Sequence, residues 1–196
     1  MANKLTERQI EIIEAAGKIL TKVGISGLTT KNLAKEMQFS ESALYRHFEN
    51  KESIILGLLQ YLAWHMEQRL SNLADEAALP EEKFIRIFNN QFDFFKQNPH
   101  FVVAVFSDGL LEESEKINQA ISQIMEVKMK HLMPILLEGQ KQNIFTNKIP
   151  AAHLLHIVLG TFRLHMYKWR VANFEFDLHE QGNKVIHSIL MLLKTN

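Results

Sequence analysis

Proline is missing from the first 79 residues and occurs only at Pro80, Pro99, Pro134 and Pro150 in a chain of 196. Proline has no backbone donor and clashes with the carbonyl four residues earlier, so a chain this poor in it can run helix almost end to end. Apolar residues recur with a helical period, and no convincing strand or hairpin pattern interrupts them. The expected fold is all-α, with about nine helices. Thr6-x-x-Gln9 is a capping-box pattern opening a first helix, in which Ile10, Ile13, Ala16, Leu20 and Val23 share a face. Gly24 suits the position just past its end. Thr29 then starts a short helix with Leu33, Ala34 and Met37, and Ser40 starts another with Leu44 and Phe48 inward. Asn50 can cap a longer helix from Lys51 to about residue 77. Further helices are expected at about 81–97, 101–110, 114–142, 150–172 and 178–194. Pro134 should kink or split the third of these, and Asp177-x-x-Glu180 should open the last.

Composition narrows the chemistry. A chain of 196 residues suits one or two compact domains and buries roughly 70% of its unfolded surface. The absence of cysteine excludes thiol catalysis, thiolate zinc sites and disulfides, and fits a reducing compartment. The start, MANKLTERQIEIIEAAG, is charged and amphipathic rather than a signal peptide. The longest apolar runs, such as Phe101–Phe106, fall far short of the roughly 20 residues that span a bilayer. A cytoplasmic protein without a membrane partner is expected. Net charge is zero, and residues 1–53 carry eight cations against seven carboxylates. If nucleic acid is the partner, the placement of charge must do what total charge does not.

Two short helices joined by a tight turn, after a longer supporting helix, form a helix-turn-helix candidate. In such a unit the second helix enters the major groove while its surroundings hold phosphates. The stretch MQFSESALYRHFENKES carries the turn, that helix and its exit. Its outward residues Glu41, Ser42, Ala43, Tyr45, Arg46 and His47 can reach base edges or backbone, and Lys31 and Lys51 sit at helix starts where anions bind. The run from Gly24 to Lys51, GISGLTTKNLAKEMQFSESALYRHFENK, resembles the N-terminal domain of the tetracycline-repressor (TetR) family. The resemblance rests on Leu28-Thr29-Thr30, Leu33-Ala34 and above all Leu44-Tyr45-x-His47-Phe48-x-x-Lys51, and it covers about the first 60 residues.

The resemblance implies roles position by position. Thr30, Tyr45, His47 and Lys51 match positions that hold the DNA backbone; Lys31, Glu41, Ser42, Ala43 and Arg46 match positions facing bases or adjacent phosphates, with Ser40 completing the set as the cap. A role for His47 in tying the third helix to the first stays open. Two residues depart from the pattern. Gln38 stands where the family usually has glycine, so the expectation is positive φ there or a reshaped turn. Glu41 stands where many relatives carry a cation or a neutral polar group, and can accept from a cytosine amino group, pair with Arg46 or Lys31, or repel phosphate.

The resemblance divides the chain into a DNA-binding domain over residues 1–50 and an effector-binding and dimerisation domain over residues 51–196. The last two helices carry apolar stripes suited to a two-fold interface: Leu155, Leu159, Phe162, Met166 and Trp169 on one; Val185, Ile186, Ile189, Leu190 and Leu193 on the other. The dimer set is taken as Leu155, Leu159, Phe162, Met166, Val185, Ile189 and Leu193, with Gly160 permitting close helix approach. A pocket for a small apolar or aromatic effector is assigned to Trp64, His65, Phe92, Phe95, Met125, Met129, Phe162 and His165, although core packing explains each of these equally well. His153 and His156 lie three apart on one helix, but no third ligand is fixed and no metal or other cofactor is expected. There is no paired Glu-x-x-His, GxxxxGK, GxGxxG or HExxH, and Glu112 and Glu113 read as a solvated turn, so no enzyme is expected. The resulting expectation is a DNA-binding transcriptional regulator: a ligand-responsive repressor acting as a homodimer on a palindromic operator of double-stranded DNA. The alternative is a helical protein–protein adaptor with weak or lost DNA binding.

Overall fold

A computed structural model describes residues 5–73, 77–106 and 114–195. Nine α-helices lie among the described residues: α1 Glu7–Val23, α2 Thr30–Met37, α3 Glu41–Leu44, α4 Lys51–Ser71, α5 Pro80–Gln97, α6 Pro99–Val105, α7 Glu115–Lys141, α8 Ala151–Val171 and α9 Leu178–Leu193. The starts were the most legible feature. The Thr6–Gln9 capping box forms, with the Gln9 N–H donating to Thr6 Oγ1 and Gln9 Oε1 accepting from the Thr6 N–H. Pro80 sits at the first position of α5, where its missing donor costs nothing. Asp177 caps α9, accepting from the Glu180 N–H at 2.9 Å. That bond and the Lys96 ammonium hold the Asp177 carboxyl below its usual range.

Three expectations need adjustment. α4 ends at Ser71, short of residue 77. α7 is not split at Pro134: it runs as one helix of 27 residues with the proline inside. α6 ends at Val105, while the expected continuation over 107–110, like Glu112 and Glu113, lies outside the described residues.

Packing divides the chain into two compact units, Met1–His65 with Pro99–Ile124, and Met66–Asn98 with Met125–Asn196. In the first, α1 packs on α2 and α6. Ile12, Ile13, Ala16 and Leu20 of α1 are buried, as are Leu28, Leu33, Leu44 and Phe48 of the residues that follow. Gly17 is needed where α1 meets His100: a Cβ there would fall 2.5 Å from the imidazole Cδ2. Burial in this contact pushes the His100 pKa from 6.5 down to about 4.

In the second unit, α5 packs on α9, and α9 in turn on α8. One face of α5 buries Phe84, Ile87, Phe88, Gln91, Phe92 and Phe95, the i, i+3, i+4 pattern of a core-facing helix. Gly182 of α9 backs onto Phe92, where a Cβ would meet the ring at 2.5 Å. The chain end is held by a short antiparallel bridge: the Thr146 N–H donates to the Leu193 carbonyl at 2.7 Å and the Thr195 N–H to the Ile144 carbonyl at 3.2 Å.

Candidate nucleic-acid interface

Thr29 has extended backbone, and its hydroxyl accepts from the Asn32 N–H at 3.1 Å, which starts α2. α2 ends at Gln38, whose φ of 56° and ψ of 39° are left-handed, while its N–H donates back to the Ala34 and Lys35 carbonyls. The positive φ expected there is present. It costs on the order of 1 kcal/mol relative to glycine, less than burying one side chain such as Leu33 or Leu44 contributes. Ser40 Oγ accepts from the Ala43 N–H at 3.2 Å and starts α3. α3 is shorter than a helix from Ser40 carrying both Leu44 and Phe48 would be, being regular only over Glu41–Leu44. The turns continue, with the His47 and Phe48 N–H groups both donating to the Leu44 carbonyl, at 2.9 and 3.0 Å. Asn50 and Ser53 then cap α4 reciprocally: Asn50 Oδ1 accepts from the Ser53 N–H at 2.8 Å, and Ser53 Oγ accepts from the Asn50 N–H at 3.1 Å. Each cap uses one of the four orphan donors at its helix start and leaves others facing outward.

This scaffold presents one polar face. Lys31, Ser40, Glu41, Ser42, Tyr45 and Arg46 are exposed; Thr30, Ala43, His47 and Lys51 are half-buried. Leu44 and Phe48 point beneath it into the core. Tyr45 keeps 50% of its surface free, an aromatic that packing alone would have buried. The tie between α1 and the end of α3 exists, but it runs from Gln9 Nε2 to the His47 carbonyl at 3.0 Å, through the main chain of His47.

Glu41 has a partner that spacing did not suggest. Thr30 Oγ1 donates to Glu41 Oε2 at 3.0 Å, joining the first residue of α2 to the first residue of α3. The hydroxyl expected on a phosphate is thus engaged by a carboxylate, and a phosphate arriving at Thr30 must displace it.

The second unit holds a different kind of site. Phe88, Phe92 and Phe95 of α5 surround Phe162 of α8, with ring centroids 5.5, 5.9 and 6.4 Å from it, and Phe92 lies 5.9 Å from His165. Of the residues assigned to an effector pocket, Phe92, Phe95, Phe162 and His165 are therefore gathered. Trp64 is exposed at 51% of its surface and stacks edge-on against the neighbouring His65; Met125 and Met129 are exposed as well. Trp64 and His65 belong to the first unit, and Met125 and Met129 turn outward on α7 while the phenylalanines fill the core of the second.

Charged and amide groups that periodicity did not single out edge this aromatic cluster. The Lys128 ammonium lies 4.5 Å from the Phe162 centroid and 5.9 Å from that of Phe95. The residue as a whole is half-buried, but its charged end is desolvated; burial first, then Arg163 and Arg69, bring its pKa from 10.5 to about 7. Arg69 lies 3.6 Å over Phe94, donates from Nε to Asn90 Oδ1 at 3.1 Å, and is lowered by burial to about 10. Gln91 is 2% exposed. A sequence signal for it existed: a lone amide inside the Phe84–Phe95 apolar stripe. A pocket of about 410 Å³ opens beside His165, lined also by Lys168, Ala172, Phe176, Gln181 and Val185.

Residues 12–58 match the family described as bacterial regulatory proteins, tetR family, and residues 60–192 match the YsiA-like protein C-terminal region. The chain belongs to the TetR family. The helix-turn-helix geometry and this membership make it a DNA-binding transcriptional regulator. It is 30% identical over 164 residues to the nucleoid occlusion factor SlmA of Vibrio vulnificus (strain YJ016), an alignment covering 81% of this chain and 84% of that one. Among solved structures it is similar to the transcriptional regulator FadR of Bacillus subtilis in complex with stearoyl-CoA, with a TM-score of 0.81 at 20% identity, covering 92% of this chain and 97% of that one. It is also similar to the TetR family transcriptional regulator PfmR of Thermus thermophilus, with a TM-score of 0.79 at 23% identity, covering 92% and 97%.

The apolar stripes of this TetR-family chain sit differently from expectation. Leu155, Phe162, Met166, Ile189 and Leu193 are buried in the chain's own core, and Leu159 and Val185 are half-buried. The open apolar face lies around the helix from them. On α8 it comprises Ile157 (49% exposed), Leu164 (59%), Tyr167 (46%) and Val171 (63%), spaced as one stripe with Gly160 in it; on α9 it comprises Met191 and Leu192, 74% and 77% exposed. Apart from its chain neighbours and the backbone of its own helix, no described atom comes within 4 Å of a Cβ built on Gly160. α8 is apolar on two faces, and periodicity alone cannot say which one the chain keeps for itself. His153 and His156 are both exposed, and no group of three or more His, Cys, Asp or Glu is placed to hold a metal among the described residues.

Proposed function

We propose that this regulator is a homodimeric, ligand-responsive repressor, reading a palindromic operator with residues 1–50 and sensing and pairing through residues 51–196. The observation carrying it is the open stripe Ile157–Gly160–Leu164–Tyr167–Val171 with Met191 and Leu192. Soluble monomers rarely leave so many large apolar side chains together in water, and a contiguous patch of this kind marks an interface. A two-fold axis through it makes the same patch meet itself, which matches two half-sites on DNA. Tyr45, His47 and Lys51, with Thr30 once freed from Glu41, hold the phosphate backbone. Lys31, Ser42, Ala43 and Arg46 face the groove, and Glu41 biases base choice. An effector bound more tightly by the DNA-incompetent state shifts the population and releases the operator. Binding alone accounts for this output, with no catalytic step. No described helix is long and apolar enough to cross a membrane, which accords with action on DNA in the cytoplasm.

The test has two parts: sedimentation at micromolar concentration, and mobility shift on the DNA flanking the protein's own gene. A dimeric mass and a salt-sensitive palindromic site are expected; a monomer, or no shift at low salt, contradicts the proposal. The similarity to SlmA favours a second reading, in which the DNA-bound dimer acts as a nucleoid occlusion factor rather than at promoters. A chromosome-wide map of bound sites separates the two: a few sites at promoters for the repressor, sites spread along the chromosome for the occlusion factor.

A further inference from the structure

Thr30 and Glu41 are the first residues of α2 and α3, and the bond between them, from Thr30 Oγ1 to Glu41 Oε2 at 3.0 Å, spans the two helices of the reading head. Leu33 of α2 and Leu44 of α3, 0% and 1% exposed, anchor both helices in the core beneath it. Glu41 itself is exposed and Thr30 is half-buried, so both can meet DNA. A threonine hydroxyl carries one hydrogen. It cannot donate to the carboxylate and to a phosphate at once, so the two contacts exclude each other.

Which contact holds depends on what Glu41 meets in the groove. An ionised carboxylate only accepts. In the major groove guanine offers acceptors, thymine an acceptor and a methyl group, and cytosine a donor, its N4 amino group. Adenine sets its amino group beside an acceptor and falls between. Opposite guanine or thymine, Glu41 finds no donor, and the Thr30 hydroxyl remains its partner. Opposite cytosine, the amino group takes the carboxylate and the hydroxyl is released. The released hydroxyl stands at the start of α2, where outward N–H groups and the exposed Lys31 favour an anion.

We propose that the Thr30–Glu41 bond is a latch coupling base reading to phosphate holding: a cytosine facing Glu41 takes the carboxylate, and only then does Thr30 grip the backbone. This rests on the operator-reading function above and supplies one base of the operator together with the reason for it. That base is read twice, directly by Glu41 and again through a phosphate contact that other bases do not release. An ordinary phosphate contact carries no such sequence information.

The experiment uses the full-length protein with Thr30→Val and Glu41→Ala, singly and together, each with its thermal midpoint checked. The wild type and Glu41→Ala each select bound sequences from a random DNA pool. Fluorescence anisotropy at one fixed salt concentration then gives affinities for the wild-type site, for that site with its cytosine changed to thymine, and for unrelated DNA. The wild type should select cytosine at one position of each half-site, and Glu41→Ala should lose that preference. Thr30→Val should weaken the selected site about tenfold or more, and the other two DNAs by no more than about twofold. In the Glu41→Ala background the hydroxyl is free on every sequence, so adding Thr30→Val should weaken all three DNAs alike.

An equal loss on all three DNAs from Thr30→Val alone overturns the inference, because Thr30 is then an ordinary backbone contact. So does a selected site with no cytosine preference that Glu41→Ala removes. A palindrome that Glu41→Ala selects unchanged leaves the operator reading standing and sinks the latch. Coupled losses on a site without two-fold symmetry do the reverse. Enrichment of no sequence by the wild type overturns both.

Discussion

In the DNA-reading head, Thr29, Ser40 and Asn50 each accept one helix-start N–H, and even the carboxylate of Glu41 is answered by Thr30. Around α5 in the second unit, Gln91 and two nitrogens of Arg69 are buried without such partners. The head satisfies its polar groups locally, within three residues or across one turn, and leaves a rigid outward face. The second unit keeps polar groups inside, unanswered, beside aromatic rings. A surface that must meet a fixed, regular partner is best preorganised. A site that must respond to a ligand has to hold something the ligand alone completes.

The contrast can be broken at several points. The largest effect is expected at the open stripe. Leu164→Glu combined with Leu192→Glu alters two exposed side chains, so helicity should persist while the dimer separates and operator affinity falls by about a hundredfold or more, through unpaired charge in the interface. An unchanged sedimentation coefficient would show that the stripe is not where copies meet.

Acid should act next, through the contact between α1 and α6. The unfolded chain protonates His100 near 6.5, whereas the folded chain holds it neutral until about 4. The unfolded state binds more protons in that window, so stability is full above 6.5 and falls as pH drops toward 4, by about 1–3 kcal/mol. Urea unfolding at pH 7 and pH 4.5 should reveal the loss, and His100→Gln should flatten it; an equal slope in the variant assigns the acid sensitivity elsewhere.

Tyr45→Ala should weaken binding to specific and random DNA alike, by about 1–2 kcal/mol, because it removes a backbone contact rather than a base contact. Titrations against both DNAs check this; a loss confined to the operator would move Tyr45 into base reading. The smallest effect belongs to Gln38→Gly, which relieves a left-handed residue and should raise the urea midpoint by the equivalent of about 1 kcal/mol or less. A lower midpoint would mean that the Gln38 side chain contributes more than its backbone costs.

Legibility in the sequence followed the range of the interaction. The helix starts at Thr6, Thr29, Ser40, Asn50 and Asp177 were readable because a cap is decided within three residues. The left-handed turn at Gln38 was anticipated through the family resemblance, which usually places glycine there. The Thr30–Glu41 bond joins residues eleven apart and depends on the angle between two helices, which no local pattern encodes. On α8, Leu155, Phe162 and Met166, expected at a two-fold interface, are buried within the chain, whereas Ile157, Leu164 and Val171 are the open residues. A helix apolar on two sides states that two surfaces will be covered, not which one belongs to its own chain. Arg69 and Lys128 escaped notice because cations read as solvated faces until packing brings them over aromatic rings.

The most direct measurement is selection of bound DNA from a random pool by the ligand-free protein at low salt, followed by footprinting of the winner. The account predicts a palindrome whose half-sites are centred about 34–36 Å apart on one face of the duplex, protected by two copies of the chain. A single unrepeated half-site, or no enrichment over the starting pool, would contradict it.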